Sequence, residues 1–368
     1  MGNIINSGDL AFNGEEVKAV SECIMEEIFA KPAMTEFLTP YTGIKAKKQI
    51  AFLGRLSGLV GQSHTNGTCA PVENDATITN TEKFWNPAHI DDRFSECWDD
   101  LLETFFIYGL KNGVAKGDLT STDFATFFIE RYQDSIAEMF HRLVWFGDTA
   151  ADDTAGGGNF VTAGFVAKRW DSFDGIWKQL YAIVAAAPAR KTSGLSAKNA
   201  ELTFVDQAFN STDTDDRVVT SVLQNLVFNA DYRLRDKADK IIVVTQSVAD
   251  QYVRELESAI GAGIPVAFEY LQDGITVLKR MGITIYAFSF WDRMIEGYMR
   301  TINTELNYYL PHRAILTTKA NLAFGTEEEG TLSEVNIFYD QKDKKTYFDF
   351  GANLDAKVLQ DYMVQAAY

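Results

Sequence analysis

The sequence of 368 residues predicts an α+β protein built from two regions, and three observations lead to that class. Helical apolar periodicity dominates the first half of the chain, apart from one β-rich excursion. In the second half, short strands with tight turns alternate with helices. A glycine-rich and acidic passage from Phe146 to Phe160 separates the halves, and it is the clearest candidate for a domain boundary.

The first half predicts an arm, an excursion and two helices, in that order. Residues 14–30 carry one apolar stripe and predict a short helix. Residues 47–87 are β-rich at both ends and rich in Gly, Ser and Asn in the middle. This pattern predicts a long two-stranded excursion that packs against residues outside its own domain. The helices are predicted over Asp91 to Gly109 and Thr122 to Phe146, the second about 35 Å long with Ser121 as its N-cap.

The second half predicts helices and strands in mixed order. One helix ends at Pro188, a second covers "DRVVTSVLQNLVFNA", and the buried strand "ADKIIVVT" runs through the cap "TQSVAD" into a helix from Val248 to Ile260. Three short strands then turn at Asp273-Gly274 and Met281-Gly282. "ELNYYLPHRAILTT" adds a strand, and the last predicted element is a hairpin that turns at Asp340 to Lys344.

Composition and charge exclude several classes of protein. Hydrophobic residues make up 46% of the chain and only 7 residues are proline, so we expect a sizeable core without a disordered tail. No apolar run approaches the roughly 20 residues of a membrane span, and the N-terminus lacks the pattern of a signal peptide. A net charge of −17 without a basic cluster disfavours tight binding of DNA or RNA.

The passage from Arg313 to Gly330 contains the residue types of a phosphate or magnesium site. Because Lys319 precedes Gly325, the passage lacks the G-x-x-x-x-G-K-[ST] order in which backbone N–H groups surround a phosphate. The glutamates 327–329 are consecutive and point in different directions, which is typical of a solvated turn. We interpret the passage as a hinge, in which Gly325 permits a sharp turn and Asn321 bonds backbone groups.

For each of the other candidate sites, a structural interpretation of the residues is favoured over a functional one. An Asp cluster lacks the Gly and Glu positions of a calcium loop, a Gly-Ala-Gly turn follows a helix rather than a strand, and a two-Cys, two-His set matches no compact zinc finger. A histidine base and two tryptophan-carboxylate pairs leave an acidic carbohydrate-active enzyme as an alternative. The Asp cluster is Asp213, Asp215 and Asp216, the Gly-Ala-Gly turn is Gly261 to Gly263, and the two-Cys, two-His set is His64, Cys69, His89 and Cys97. The histidine base is His141, near Glu138, and the two tryptophan-carboxylate pairs are Trp170-Asp171 and Trp291-Asp292.

No candidate for chemistry rises above this background, so we expect a structural protein with no catalytic residues, no cofactor and no metal site. The three cysteines are odd in number and far apart, which indicates reduced thiols.

Three phrases of the C-terminal half follow one another in an order typical of one protein family. They are "DKIIVVTQSVADQYVRELE", "EYLQDGITVLKRMGITIYAFSFWD" and "HRAILTTKANLAFGTEEEGTLSEVNIFYDQKDKKTYF". Residues that fit the family pattern are Gly274, Gly282, Ile283, Trp291, Arg313, Leu316, Thr317, Lys319, Asn321, Leu322, Gly325 and Thr326. The chain thus resembles the major capsid proteins of tailed bacteriophages, whose fold is named after coliphage HK-ninety-seven.

This resemblance implies an HK-ninety-seven-like fold in five parts. These are an N-terminal arm (1–44), an extended β-hairpin loop (45–90), a peripheral domain with a long spine helix (91–150), an axial domain (151–319) and a return to the peripheral domain (320–368). The first half fits this plan by the order of its elements more than by individual residues.

The implied function is that of a major capsid protein, which self-assembles into hexamers and pentamers of an icosahedral head. The implied partners are further copies of the chain and scaffolding, portal and decoration proteins, with double-stranded DNA enclosed without sequence-specific binding and with no membrane involved. The implied location is the virion, after assembly in the host cytoplasm. An encapsulin-type compartment shell, which shares the fold, stays open as an alternative.

Overall fold

The computed structural model describes residues 37–45, 48–53, 80–97, 135–152, 166–260, 269–271, 275–300, 307–326, 336–340 and 345–368. In these residues the fold is α+β, as predicted, with two large sheets and one pair of strands. None of the helices in these ranges is long and apolar enough to cross a membrane.

The strands of the described ranges are numbered in chain order. They are β1 (Thr39–Tyr41), β2 (Gln49–Leu53), β3 (Asn80–Phe84), β4 (Ala88–Cys97), β5 (Lys240–Thr245), β6 (Glu269–Leu271), β7 (Ile275–Arg280), β8 (Ile283–Phe288), β9 (Ala314–Thr318), β10 (Leu322–Thr326), β11 (Asn336–Asp340), β12 (Lys345–Val358) and β13 (Gln365–Ala367).

The helices are numbered in the same way. They are α1 (135–146), α2 (Ile176–Ala186), α3 (Ser196–Asn199), α4 (Phe204–Gln207), α5 (Ser211–Asp215), α6 (Val218–Phe228), α7 (Tyr232–Arg235), α8 (Gln246–Ile260) and α9 (Ser289–Tyr298). Short 3-10 turns occur at Ala167–Arg169, Pro188–Arg190, Lys319–Asn321 and Asp361–Met363.

The six-stranded sheet has the order β13-β9-β5-β8-β7-β6, with β5 parallel to β8 and antiparallel to β9. Both faces of β5 are buried, which explains its uninterrupted apolar sequence. Ile241 and Val243 belong to one core cluster, whereas Ile242 and Val244 belong to another that includes α6 and α8. The structure confirms the predicted strand β5 and the predicted helices α6 and α8. It also confirms the predicted helix α2, which ends before Pro188.

One of the two tight turns predicted for the second half is confirmed, and the other, at Asp273-Gly274, lies outside the described residues. Met281 and Gly282 have φ values of 51° and 76°, the left-handed pair of a type I′ turn, and they join β7 to β8. The predicted C-terminal hairpin is also confirmed, because Asp340 of β11 pairs with Lys345 of β12.

The five-stranded sheet is built around β12. One edge of β12 pairs with β4 from Lys345 to Leu354, and the other edge pairs with β11 and then with β10. Strand β1 lies parallel to β10 and completes the sheet. Helix α2 packs on it, with the Gln179 side chain donating to the carbonyl oxygen of Ala356 (2.7 Å) and accepting from the N–H of Val358 (3.0 Å).

The predicted helix from Asp91 is wrong as far as Cys97, because these residues form most of strand β4. Phe94, Cys97 and Trp98 stand at helical spacing in the sequence, and this spacing was the basis of the prediction. Backbone pairing with β12 along the whole of β4 satisfies the N–H and C=O groups on the paired edge of the strand, and this long-range pairing overrides local propensity. The remainder of that predicted helix, 98–109, lies outside the described residues.

Other predictions for the first half are tested only in part. Strands β2 and β3 pair antiparallel, which confirms the two ends of the predicted excursion; its middle and the predicted helix 14–30 lie outside the described residues. The predicted helix Thr122 to Phe146 is described from residue 135 and ends at 146, as expected. The five-part division stays a prediction, and β13 adds a feature it lacks, since this strand rejoins β9 in the six-stranded sheet.

One aromatic cluster joins the two sheets. Trp291 lies at its centre, with ring centroids of Trp145, Trp177 and Phe288 at 4.9, 5.2 and 5.3 Å in edge-to-face arrangements. The same cluster includes strand residues of both sheets, such as Ile315 and Phe350. The sheets therefore share one core cluster, while the other face of the six-stranded sheet packs in the second cluster.

Candidate functional site: the base of the excursion and the junction of the sheets

The pair β2–β3 leaves the body of the protein between β1 and β4. At its base, Ile44 and Trp85 are almost completely buried in a small cluster with Ala323 and Leu359, against which Ile50 packs. This cluster is separate from the core that joins the sheets. The base of the excursion is therefore anchored to β10 and to the end of β12 by its own apolar contacts.

Hydrogen bonds reinforce this anchor. The N–H of Ile44 donates to the carbonyl oxygen of Thr326 at 2.9 Å, and Lys83 Nζ donates to the carbonyl oxygen of Val358 at 2.7 Å. The N–H of Asn86 donates to the Asp355 carboxylate at 2.7 Å. Burial raises the pKa of the Asp355 carboxyl, although Lys357 lies 3.4 Å away and opposes the shift.

Gly325 lies inside strand β10 against this anchor and not at a turn, which corrects its predicted role. A Cβ atom at Gly325 would approach Ile44 Cδ1 to 2.8 Å and Trp85 Cζ3 to 3.1 Å. Only glycine therefore lets the excursion pack directly on the strand. No local pattern indicated this role, because the two contacting residues are more than 200 positions away in the sequence.

The predicted hinge does connect the two sheets. The chain leaves β9, makes the 3-10 turn at Lys319–Asn321 and enters β10 of the other sheet. Asn321 bonds backbone groups, as predicted: its Oδ1 accepts from the N–H of Gln360 at 2.7 Å, and its Nδ2 donates to the carbonyl oxygen of Met363 at 3.3 Å. Lys319 Nζ lies 5.7 Å from the rings of Phe37 and Tyr286, so it contacts aromatic faces within the chain.

Arg313, just before β9, is almost completely buried among aromatic side chains. Its guanidinium carbon lies 5.1 Å from the ring centroid of Trp177 and 5.6 Å from that of Phe146. Its Nε donates to the carbonyl oxygen of Leu310 at 2.7 Å and its Nη2 to that of Tyr309 at 3.0 Å. Burial lowers the pKa of the guanidinium, and these contacts fix the backbone that leads into β9.

The N-terminus of α8 is capped from another helix. Asp292 of α9 accepts from the N–H of Gln246 at 2.6 Å and from the N–H of Ser247 at 3.2 Å. The sequence placed this cap within "TQSVAD", whereas the acceptor comes from a helix more than 40 residues later. Burial raises the pKa of the Asp292 carboxyl to about 6. The Trp291-Asp292 pair therefore serves packing and capping, since its carboxylate is engaged with backbone donors.

His312 is buried on the other side of Ser247. Its Nε2 donates to the carbonyl oxygen of Gln207 at 2.7 Å, so its Nδ1, 2.9 Å from Ser247 Oγ, accepts from that hydroxyl when the ring is neutral. Burial lowers the pKa of His312 to about 4, with Lys198 as a further charge that disfavours protonation and Asp213 as one that favours it. The neutral histidine thus joins the segment around α4 to the six-stranded sheet.

These two groups predict opposite pH dependences of stability. The pKa of Asp292 rises from 3.8 to about 6 on folding, so its contribution to the free energy of unfolding is lost as pH rises through that range. The pKa of His312 falls from 6.5 to about 4 on folding, so its contribution to the free energy of unfolding is lost as pH falls through that range. Relative to the wild type, His312→Gln should gain unfolding free energy as pH falls from 6.5 to 4. Asp292→Asn should instead lose unfolding free energy relative to the wild type over the same fall in pH. Each of the two changes should be on the order of 1 kcal/mol per pH unit.

Urea unfolding of both variants and the wild type at several pH values between 4 and 6.5 measures these differences. The double variant is the control, because its difference from the wild type should vary least with pH. Slopes of the same sign for the two single variants would contradict the assignment.

Several of the remaining candidates make structural contacts, and others lie outside the described residues. Asp213 forms a capping box with Asn210 and pairs with Lys198 at 2.9 Å, and the His89 ring lies 2.9 Å from the Asn353 side chain. Glu138 pairs with Arg293 at 3.2 Å. The described ranges contain no group of His, Cys, Asp or Glu that could hold a metal ion. Candidates outside these ranges are His64, Cys69, Gly261 to Gly263 and Glu327 to Glu329.

The architecture that these features define is that of tailed-bacteriophage capsid proteins. A sheet containing parallel strands and a long-stranded antiparallel sheet share one core, and an anchored two-stranded excursion leaves the body beside them. The chain therefore has the HK-ninety-seven-like fold that its sequence predicts.

Particular solved structures share this fold at low sequence identity. A chain of the satellite phage P4 procapsid, which includes the size determination (Sid) protein, aligns over 94% of this chain and 98% of its own, with a TM-score of 0.50 and 11% identity. A capsid chain of cyanophage A-1(L) aligns over 91% and 92%, with a TM-score of 0.46 and 13% identity. No family model matches the sequence, and no curated protein is similar to it in sequence.

Proposed function

We propose that this chain is the major capsid protein of a tailed bacteriophage, which assembles with copies of itself into the icosahedral head around the double-stranded DNA genome. The observation that carries the proposal is the anchored excursion within an HK-ninety-seven-like fold. Strands β2 and β3 pair only with each other in the described part of the chain. A two-stranded sheet is marginal alone in water, so it gains stability by packing on a neighbouring subunit.

The charge of the chain suits a shell that encloses DNA. A net charge of −17 repels the phosphate backbone, so packaged DNA lies against the wall without adhering to it. Permanent subunit interfaces bury roughly 2,000–5,000 Å² or more, and closed symmetry multiplies their contribution. Hexamers and pentamers of this chain are the proposed capsomers, with scaffolding, portal and decoration proteins as further partners. The location is the virion, after assembly in the host cytoplasm.

Electron microscopy and native mass measurement of the purified protein test this proposal. We expect closed shells or capsomer rings, formed by the protein alone or with the scaffolding protein of the same phage. A monomer under all of these conditions would rule the proposal out. Native particles from infected cells should contain DNA; particles that hold a cargo enzyme instead would indicate an encapsulin-type compartment.

Deleting Thr65 to Thr77, in the predicted tip of the excursion, should leave a folded subunit that assembles poorly. The anchor at Ile44 and Trp85 does not include the tip, so the subunit should keep its unfolding temperature. Loss of even ~1.4 kcal/mol per contact raises the concentration needed for assembly about tenfold.

Light scattering and electron microscopy across a concentration series measure this shift. A Gly/Ser segment of the same length in place of Thr65 to Thr77 separates the reach of the excursion from its side-chain contacts. Normal shell yield from the deletion variant would refute the role of the tip.

A further inference from the structure

Two side-chain amides bind the backbone of the segment that leads into β9. Gln207, at the end of α4, accepts from the N–H of Tyr308 at 2.9 Å and donates to the carbonyl oxygen of the same residue at 2.8 Å. Asn199, at the end of α3, binds His312 in the same way, at 2.9 and 2.8 Å. Each amide thus bonds both backbone groups of one residue, as a neighbouring β-strand does. We call these two side chains the amide clamp.

The amide clamp is buried, and ring contacts reinforce it. Both of its side chains are at most 6% exposed. The ring of Phe204 stacks on that of Tyr308 with centroids 3.9 Å apart, and the ring of Phe209 lies 4.2 Å from that of His312. Helices α3 and α4 are therefore attached to residues 307–313 by backbone hydrogen bonds and by ring contacts. Loss of one amide leaves buried backbone groups without a partner, which is costly.

Between the two clamped residues, the backbone of Leu310 is strained. Its φ of 47° lies in the left-handed region, which residues other than glycine, asparagine and aspartate rarely adopt. The next residue is Pro311, and a residue before proline favours extended backbone. Arg313 Nε donates to the carbonyl oxygen of Leu310 at 2.7 Å. A strained residue persists only where its surroundings impose the strain, so we attribute this conformation to the amide clamp and Arg313 together.

The clamped segment lies between the six-stranded sheet and an exposed part of the surface. Strand β9, which follows the segment, pairs with β5 through backbone bonds that do not involve the amide clamp. Leu202, between α3 and α4, is 72% exposed, and Val205, within α4, is 82% exposed. Opening of the amide clamp therefore changes the surface around Leu202 and Val205 while the sheet stays paired.

We propose that the amide clamp is a conformational latch. In the closed state it holds Leu310 in the strained backbone, and in the open state residues 307–313 relax and separate from α3 and α4. The strain offsets part of the binding free energy of the clamp, so the open state lies closer to the closed state than the number of bonds alone implies. In the proposed capsid, the two states supply two surfaces for the different neighbour angles of hexamers and pentamers; this role in assembly rests on the proposed function.

Hydrogen exchange of the unassembled subunit tests the latch. The N–H groups of Tyr309 and Arg313 report its opening, because they donate to Met299 and Thr245 and not to the amide clamp. Gln207→Met keeps the length of the side chain and removes both of its bonds to the segment. It should speed the exchange of these two amides at least about tenfold and leave the amides of β8 at the wild-type rate.

Gln179→Met is the matched control. Gln179 also bonds one N–H and one carbonyl oxygen, those of Val358 and Ala356, but these groups belong to the extended backbone around β12. The control removes the same kind of two-point bond at a distance from the latch. It should therefore leave the exchange of the Tyr309 and Arg313 amides at the wild-type rate.

A pair of substitutions at Leu310 isolates the backbone strain. Leu310→Gly and Leu310→Ala both remove the side chain beyond Cβ, but only glycine adopts the left-handed backbone without strain. The glycine variant should exchange its Tyr309 and Arg313 amides about fivefold more slowly than the alanine variant, both alone and combined with Gln207→Met. Glycine is also more flexible in the open state, which acts in the opposite direction, so slower exchange reports relief of strain in the closed state.

Two results of the exchange experiments would overturn the latch. One is equal or faster exchange in the glycine variant than in the alanine variant, since no strain would then be held in the closed state. The other is a Gln207→Met variant in which the Tyr309 and Arg313 amides keep the wild-type rate, or in which the β8 amides accelerate by the same factor. Local opening would be absent in the first of these cases and indistinguishable from global unfolding in the second.

Electron microscopy of assembled shells tests the role in assembly separately. Gln207→Met favours the open state and Leu310→Gly the closed state, so the proportion of pentamers, measured as shell size, should shift in opposite directions. Absent or parallel shifts would overturn the role in assembly, while the exchange rates still decide the latch. A wild type that never assembles would overturn the capsid function and the role in assembly with it, but not the latch measured on the subunit.

Discussion

Trp291→Ala is expected to lower the free energy of unfolding by about 3–5 kcal/mol, the largest effect of any single substitution described here. Trp291 is fully buried and lies within 5.3 Å, centroid to centroid, of Trp145, Trp177 and Phe288. Truncation removes these ring contacts and leaves a cavity in the one cluster that joins both sheets. Because the core is shared, the two sheets should lose stability together in a single transition.

Denaturant unfolding followed by tryptophan fluorescence and by far-UV circular dichroism measures this loss. Trp291→Phe is the matched control, since it keeps an aromatic ring and removes an indole N–H that has no hydrogen-bond partner among the described residues. Its cost should be about 1–2 kcal/mol. Two separate transitions, or equal costs for the two variants, would contradict the central role of this ring.

Trp85→Ala is expected to release the base of the excursion while the rest of the subunit stays folded. Trp85 is 2% exposed in a cluster separate from the main core, so the loss of about 3 kcal/mol falls on the local anchor. Hydrogen exchange of the β2 and β3 amides should accelerate by about 100-fold, whereas the amides of β5 should exchange at the wild-type rate. Assembly should fail, because an unanchored excursion cannot be presented to a neighbour in one orientation.

Phe84→Ala provides the matched control for this experiment. Phe84 precedes Trp85 and is 48% exposed, so its truncation removes a ring of similar chemistry without opening the anchor. Exchange rates in β2 and β3 should stay within about threefold of the wild type. Faster exchange throughout the protein after Trp85→Ala would show that the anchor and the core unfold as one unit, contrary to expectation.

Local sequence patterns predicted those elements whose structure is decided locally. The apolar run of β5, the stripe of α6 and the Met281-Gly282 turn each carry the periodicity or backbone preference of the element they form. The same holds for Asn321, whose short amide in a turn matches the bonds it makes. The fold class followed from these elements and from the resemblance of the C-terminal phrases.

The failures share a different cause, because each depends on a partner far away in the sequence. Residues 91–97 have helical spacing but become a strand, since β12 offers them a complete ladder more than 200 residues later. Asp292 caps a helix that begins 46 residues earlier, and Gly325 is required by two residues from the other end of the chain. The excursion itself was predicted, but the anchor that fixes its base was not.

The pairing of β4 with β12 also has a mechanical consequence. Their register runs without interruption from Ala88 and Leu354 to Cys97 and Lys345. A force along the strand axis must shear these bonds together, whereas a force across the strands separates them one after another. When the contents of a shell press outward, its wall stretches in its own plane. If the strands lie in that plane, the stretch loads the β4–β12 pair in shear. In that orientation the subunit opposes tension with many hydrogen bonds in parallel.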